Sequence, residues 1–279
     1  MTTFALLTYP QIDPVLLRIG PLAVRWYGLA YVIGFVGAGL LMRRLNRIWK
    51  VGLSADAQLD IVLAAVVGLI VGARLGYVLF YGLDGFIESP QTVFALWDGG
   101  MSFHGGLIGI LLAGWLVSKR VHVPFLRLAD IGAVGAPIGL FLGRLGNFIN
   151  GELWGRATDV PWAMIPPYGG VPRHPSQLYE ALLEGLVLFI VMMLLARKRL
   201  PDGMLVGVMM SLYGVFRIAV EFVREPDVQL GFILGPFTMG QLLSLPVLGA
   251  GVWLVWHAHR SRRDGEPLSG SDDTVDAPV

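Results

Sequence analysis

Residues 58–81, from Gln58 to Tyr81, read QLDIVLAAVVGLIVGARLGYVLFY. Between Asp60 and Arg74 this stretch carries no charged side chain, so a helix built from it is apolar all round rather than along one stripe. Its 24 residues exceed the ~20 that a helix needs to cross a hydrocarbon core of about 30 Å. Lipid cannot satisfy a free backbone N–H or C=O, so the segment must be helical. Six apolar stretches of similar length flank it, at about 21–42, 101–118, 130–149, 178–196, 203–222 and 237–257. The fold class that follows is an all-α integral membrane protein with seven transmembrane helices.

Composition agrees. The chain has 279 residues, 55% apolar and 15% charged, and no cysteine; soluble domains carry about 25% charged residues. Mean hydropathy is +0.66. These values exclude a disordered protein, a basic nucleic-acid binder and a disulfide-stapled secreted module, and they disfavour a soluble enzyme. The 37 glycines suit close packing between membrane helices. Residues 1–263 read as one polytopic membrane domain, and 264–279, rich in Gly, Ser, Asp and Pro, as a disordered cytoplasmic tail. The first 20 residues lack a basic start and a clean apolar run, and read as a short outer segment rather than a cleavable leader.

Orientation follows from the cations. Arg43, Arg44, Arg47 and Lys50, then Lys119, Arg120 and Arg127, then Arg197, Lys198 and Arg199, and finally Arg260, Arg262 and Arg263 all fall on one side of a seven-span chain. The positive-inside rule makes that side cytoplasmic, with the N-terminus outside and the C-terminus inside. The longest outer loop, about 150–177, contains Pro161, Pro166, Pro167, Pro172 and Pro175.

An ionisable group inside a span costs roughly 2.5–3.5 kcal/mol on insertion scales, so each needs a reason. Counted from Asp60, Asp130 and Gly203, at the inner starts of outward-running spans, Arg74, Arg144 and Arg217 each stand 14 residues on, which is ~21 Å into the ~30 Å core. Arg25, Tyr27 and His104 lie near the outer entrances of inward-running spans, so the unusual polar residues share one level near the outer surface. Tyr213, Arg217, Glu221 and Arg224 share a helix face by their spacing. Arg144 and Asn147 are one turn apart, and Asn150 and Glu152 follow where that helix ends, interleaved with Gly143, Gly146, Gly151 and Gly155. Arginine presents a planar fork of donors suited to a phosphate oxyanion.

Each residue also has a plain structural reading. Arg217 and Glu221 alone are as well explained by helix–helix pairing as by binding. Arg74 reads as structural, paired with Asp84 or Glu88, and Asp130 as the cap of its own helix. His174 fits either role. His104, flanked by Phe103, Gly105 and Gly106 at the mouth of an apolar span, is the one histidine placed as a catalytic base would be. No HExxH pair or His/Cys set at metal spacing occurs, nor a GxSxG or Walker loop.

Taken together, Arg25-Trp-Tyr-Gly28, Phe103-His-Gly-Gly106, Gly143-Arg-Leu-Gly-Asn-Phe-Ile-Asn-Gly-Glu-Leu-Trp-Gly-Arg156, Arg173-His-Pro-Ser-Gln-Leu-Tyr-Glu180 and Tyr213-Gly-x-Phe-Arg-x-x-x-Glu221 resemble bacterial prolipoprotein diacylglyceryl transferase. The match extends from about residue 10 to 258, and the long 143–156 block is its most specific part. The resemblance implies an enzyme of the bacterial cytoplasmic membrane that moves the diacylglyceryl group of phosphatidylglycerol onto the lipobox cysteine of a prolipoprotein signal peptide. A thioether forms and glycerol phosphate leaves. The implied partners are that phospholipid, the signal peptide and membrane lipid, with no nucleic acid; the implied cofactor set is empty and no metal is required. The family's important positions fall on Tyr27, His104, Arg144, Asn147, Glu152, Gly155, Tyr213, Arg217 and Glu221, with no departure among them. Tyr27, His104, Arg144, Asn147, Arg217 and Glu221 are expected to be catalytic. Arg144, Asn147, Glu152, Gly155, Tyr213 and Arg217 are expected to bind substrate. A cysteine-free chain can make a thioether when the substrate brings the thiol.

Rival classes predict other patterns. A transporter or flippase places broken helices at the midplane and polar residues at both surfaces. An intramembrane serine protease needs an activated Ser beside a base, and none stands out. An acyltransferase leaves an ester or thioester, and a scaffold has no use for costly buried charge.

Overall fold

The computed structural model describes residues 7–20, 22–95, 99–226, 231–235 and 237–264; the expected tail lies outside them from residue 265 onward. Three short strands, β1 (Leu7–Thr8) and the hairpin pair β2 (Val15–Ile19) and β3 (Leu22–Arg25), precede helix α1 (Trp26–Trp49). Then come α2 (Ala55–Tyr81), the short α3 (Leu83–Glu88), α4 (Phe103–Arg120) and α5 (Phe125–Ile149). Strand β4 (Met164–Ile165) lies in the long loop and pairs in parallel with β1. Helix α6 (Ser176–Leu195) and α7 (Met204–Glu221) follow. A small hairpin of β5 (Phe232–Leu234) and β6 (Phe237–Thr238) leads into α8 (Met239–Asp264).

Six of these helices, α1, α2, α5, α6, α7 and α8, are long and apolar enough to cross a membrane. α4 has 18 residues, as many as α7, but it is less apolar because charge and glycine take up both its ends: it opens on His104 and two glycines and closes on Lys119 and Arg120. Helix α1 begins later than the hydropathy predicts, because Leu22–Arg25 is extended and paired with Val15–Ile19. It also runs on past Arg43, Arg44 and Arg47 to Trp49. Long cationic side chains can lie along a helix end and keep their charge in water, so a hydropathy boundary falls short there.

Contacts between helix ends fix the packing. At one end, Trp49 Nε1 donates to the Ala196 carbonyl (3.0 Å), Arg120 pairs with Asp60 (2.9 Å), and Arg127 grips Asp202 through two hydrogen bonds (2.8 and 2.9 Å). The main apolar core, including Leu45, Trp49, Val134, Leu188, Met192 and Leu205, sits toward this basic end. Outward faces carry exposed apolar side chains such as Val32, Val36, Leu40, Leu63, Val67, Leu79 and Leu194.

Two expectations about structural charges are corrected in detail. Asp130 caps α7 rather than its own helix: its carboxylate accepts from Gly203 N and Val206 N, both at 2.8 Å, satisfying orphan donors of that N-terminus. Arg74 is structural, yet its partners are neither Asp84 nor Glu88. Its fork is filled by the carbonyls of Thr92 (2.5 Å), Val93 (3.0 Å), Gly99 (2.5 Å) and Gly100 (3.0 Å). A buried guanidinium has five donors to satisfy, and the loop after α3 supplies carbonyls for them.

Helices α2 and α4 touch backbone to backbone through glycines. A Cβ on Gly72 would lie 2.7 Å from Gly109 Cα, and one on Gly76 2.7 Å from Gly105 Cα. Gly72→Val drives these helices apart. The expected cost is about 1–3 kcal/mol or more, the usual penalty of overpacking, read as a lower Tm of the detergent-purified protein. An unchanged Tm would contradict so close a contact.

Candidate active site

At the end of the bundle opposite the basic loops, three helices bring charged side chains to one point. Arg144 comes from α5, Glu180 and Glu184 from α6, and Arg217 and Glu221 from α7. One carboxylate oxygen, Glu180 Oε2, receives both arginine forks: Arg144 Nη2 and Arg217 Nη1 each lie 2.6 Å from it. Glu184 lies farther off, with an oxygen 3.8 Å from each arginine and, among the described residues, no hydrogen-bond donor on either oxygen. Glu221 stands 3.3 Å from Arg217 Nη2, as the spacing of four residues on one helix predicts. Both α6 glutamates are fully buried, whereas the Arg144 side chain keeps 19% exposure.

Local sequence explains this convergence. Gly185 lets α6 lie against α5, since a Cβ there would sit 2.6 Å from that of Phe141. Across residues Ala181–Val187, α6 widens into a π-helix, a form concentrated at functional sites because it re-aims side chains. Gly240, at the start of α8, lies against the Glu221 carboxyl, and the Thr238 hydroxyl donates to Glu221 Oε1 at 2.9 Å. Tyr213 is one turn from Arg217, within electrostatic reach of Glu184 and Arg144.

The long loop closes this end. Tyr9 donates to the Ile149 carbonyl (2.7 Å), and the Gly155 N–H donates to the His174 carbonyl (2.9 Å). Gly155 has no room for a side chain: a Cβ would lie 2.5 Å from the Val223 carbonyl. Next to it, the Arg156 N–H donates to the Val223 carbonyl (2.8 Å) and its Nε to the Arg224 carbonyl (3.0 Å). The 143–156 block is thus strapped to the end of α7. Arg224 joins the cluster, with Nη1 at 3.6 Å from Glu221 and Nε at 3.9 Å from Glu180.

Asn147 and Glu152 extend the site from Arg144. Asn147 Nδ2 donates to Glu152 Oε1 (2.8 Å), Asn150 Nδ2 donates to the same oxygen (3.2 Å), and Arg144 Nη1 reaches Asn147 Oδ1 at 3.4 Å. Tyr27 is half-buried beside this turn. Its ring occupies the space above Gly146, and its hydroxyl is 3.3 Å from that of Tyr31.

His104 stands apart. Its ring is exposed at the start of α4 and meets Phe103 edge-on. It lines one end of a groove of about 810 Å³ between α2 and α4, walled by residues such as Gly72, Leu75, Gly76, Ile108 and Gly109. Among the described residues no hydrogen bond or ion pair occupies its ring nitrogens. Also among them, no group of three or more His, Cys, Asp or Glu is arranged to hold a metal ion.

A model of the family described as prolipoprotein diacylglyceryl transferase matches residues 14–257. The chain belongs to the prolipoprotein diacylglyceryl transferase family. A relative from Geobacter sulfurreducens, named phosphatidylglycerol–prolipoprotein diacylglyceryl transferase, is 53% identical over 245 residues, covering 88% of this chain and 94% of its own. Relatives of the same name from Pseudomonas paraeruginosa and Pseudomonas putida F1 are each 51% identical, covering 91% and 94% of this chain and 97% and 100% of their own. The apolar helices and this membership make the chain a multi-pass membrane transferase.

Within this family member, the structure gathers Arg144, Asn147, Glu152, Tyr213, Arg217 and Glu221 at one site, with Gly155 and Tyr27 at its edge and His104 outside it. Sequence reasoning passed over Glu180 and Glu184 as functional groups. The signal was present: two acidic residues four apart inside an apolar span carry the same insertion cost that singled out the arginines.

Proposed function

We infer that this membrane enzyme transfers the diacylglyceryl group of phosphatidylglycerol to prolipoprotein, the activity of the family to which it belongs. The chain crosses the bacterial inner membrane seven times, α4 being the seventh span beside the six more apolar helices. Its N-terminus faces out, its C-terminus faces the cytoplasm, and residues 1–263 form one domain. Alternating basic loops support this orientation. The site then opens at the outer leaflet, at headgroup depth.

The observation that carries the mechanism is the meeting of two arginine forks from separate helices, 2.6 Å from a single oxygen. An oxyanion that lodges beside this Glu180 oxygen is reached from both sides. Arg144 and Arg217 clamp the phosphate of phosphatidylglycerol; Asn147 and Tyr27 orient the headgroup; Glu152 fixes the Asn147 amide. Glu221 holds Arg217, Tyr213 shapes the same face, and Gly155 lets the loop close over it. The lipobox thiol gives its proton, through water, to His104, whose ring stands outside the arginine cluster, is exposed and has no competing partner among the described residues. The thiolate attacks the glyceryl carbon bound to the phosphate oxygen. An S–C bond forms, the C–O bond breaks, and the electron pair leaves with glycerol phosphate, whose developing charge the two guanidiniums stabilise.

The test uses the purified protein with phosphatidylglycerol and a lipobox peptide. Mass spectrometry is expected to show one diacylglyceryl addition on the cysteine, stable to hydroxylamine, with an equal amount of glycerol phosphate released. An acyl-sized addition that hydroxylamine removes would instead identify an acyltransferase. No addition by well-folded protein would return the site to a lipid-binding role.

A further inference from the structure

Glu180 and Glu184 have no part in the mechanism above, yet they are the most completely buried charged residues near the arginines. We propose that Glu180 and Glu184 are positioning residues that set the Arg144–Arg217 clamp and temper its charge, so that the dianionic product can leave. This rests on the reading of those arginines as the phosphate clamp.

The geometry comes first. Two guanidiniums repel each other, and in a site of low dielectric that repulsion is strong. Glu180 Oε2, at 2.6 Å from both forks, is the shared counter-charge that lets α5 and α7 present them side by side. Glu184, one turn along α6, places a second carboxyl group 3.8 Å from each arginine but accepts no hydrogen bond among the described residues. A carboxylate placed this way adds charge without competing for the donors that a phosphate needs. The π-helical stretch that begins at Ala181 aims both residues into the cluster.

The charge argument follows. Arg144, Arg217 and Arg224 face Glu180, Glu184 and Glu221, so three guanidiniums meet three buried carboxyl groups that offset their charge. The lipid phosphodiester carries one negative charge. Breaking its C–O bond turns it into a phosphomonoester that carries two. A clamp with uncompensated positive charge would hold the product more tightly than the substrate and slow its release. A clamp neutralised by buried carboxylates still offers directed N–H donors to the transition state, but less net attraction to the dianion. Binding that persists into the product state lowers turnover rather than raising it.

The experiment compares Glu180→Gln, Glu184→Gln and Glu180→Asp with the parent enzyme. It measures kcat, KM for phosphatidylglycerol, and inhibition by added glycerol phosphate. For Glu180→Gln we expect kcat to fall about tenfold, KM for the lipid not to rise, and glycerol phosphate to inhibit about tenfold more strongly, as removal of one close charge implies. Glu184→Gln moves all three in the same direction by less, and Glu180→Asp restores most of kcat. A residue that merely holds helices together would lower kcat with weaker, not stronger, product inhibition. Inhibition that is unchanged or weaker in the glutamine variants overturns the proposal. If Glu180→Gln does not fold, Glu184→Gln, which loses no hydrogen bond, decides on the same criterion. Failure of the clamp reading shows separately: Arg144→Gln and Arg217→Gln would then leave glycerol phosphate inhibition as it is in the parent.

Discussion

Arg217→Ala is expected to reduce diacylglyceryl transfer by about 10³-fold or more, and Arg144→Ala by a similar factor. Removing a single neutral donor to a developing oxyanion costs 10²–10³ in kcat, and here the lost donor also carries a full charge. Arg217 is 12% exposed and lies among Glu180, Glu184 and Glu221. Its loss therefore does two things: it takes one jaw from the phosphate and leaves buried carboxylates less compensated. Arg217→Lys separates these effects. It keeps the charge but not the fork, so it retains the fold and still loses most activity. The measurement is initial-rate transfer from phosphatidylglycerol to a lipobox peptide, with thermal unfolding as the control. Normal turnover by Arg217→Ala would remove the clamp from the mechanism.

His104→Gln is expected to lower kcat by about 10²–10⁴-fold, the range of a general base. Thermal stability should stay near that of the parent, because no hydrogen bond or ion pair among the described residues depends on the ring. Glutamine keeps a polar side chain of comparable reach at the head of the α2/α4 groove but cannot take a proton. Added imidazole should restore part of the rate, since an exposed position at a groove end admits a small base. Full activity of His104→Gln with normal lipid binding would show that another group accepts the thiol proton. Because His104 is not in contact with the arginine cluster, its substitution and that of Arg217 should add independently in lipid binding.

The sequence made the membrane class legible because seven long apolar stretches and the side of their basic flanks are one-dimensional signals. Boundaries were less legible. Helix α1 starts only after a strand pair that Val15–Ile19 makes with Leu22–Arg25, and such pairing depends on contact rather than composition. The level of the site was readable from charge in apolar spans, and Arg144, Arg217, Glu221, Asn147 and Glu152 do meet. The pairing was not. Spacing joins Arg217 to Glu221 on one helix, but its shortest contact is with Glu180 on another. Asp130 reads as a local cap and instead serves a helix whose N-cap, Gly203, lies 73 residues later in the chain. Arg74 shows the reverse case: the right role with the wrong partners, because backbone carbonyls leave no mark in sequence.

The clamp itself is tested most directly by an experimental structure of the protein with phosphatidylglycerol bound. The phosphate is predicted to sit between the forks of Arg144 and Arg217, with oxygens about 2.7–3.2 Å from nitrogens of both. A phosphate bound elsewhere, with no oxygen within hydrogen-bond distance of Arg144 or Arg217, would contradict it.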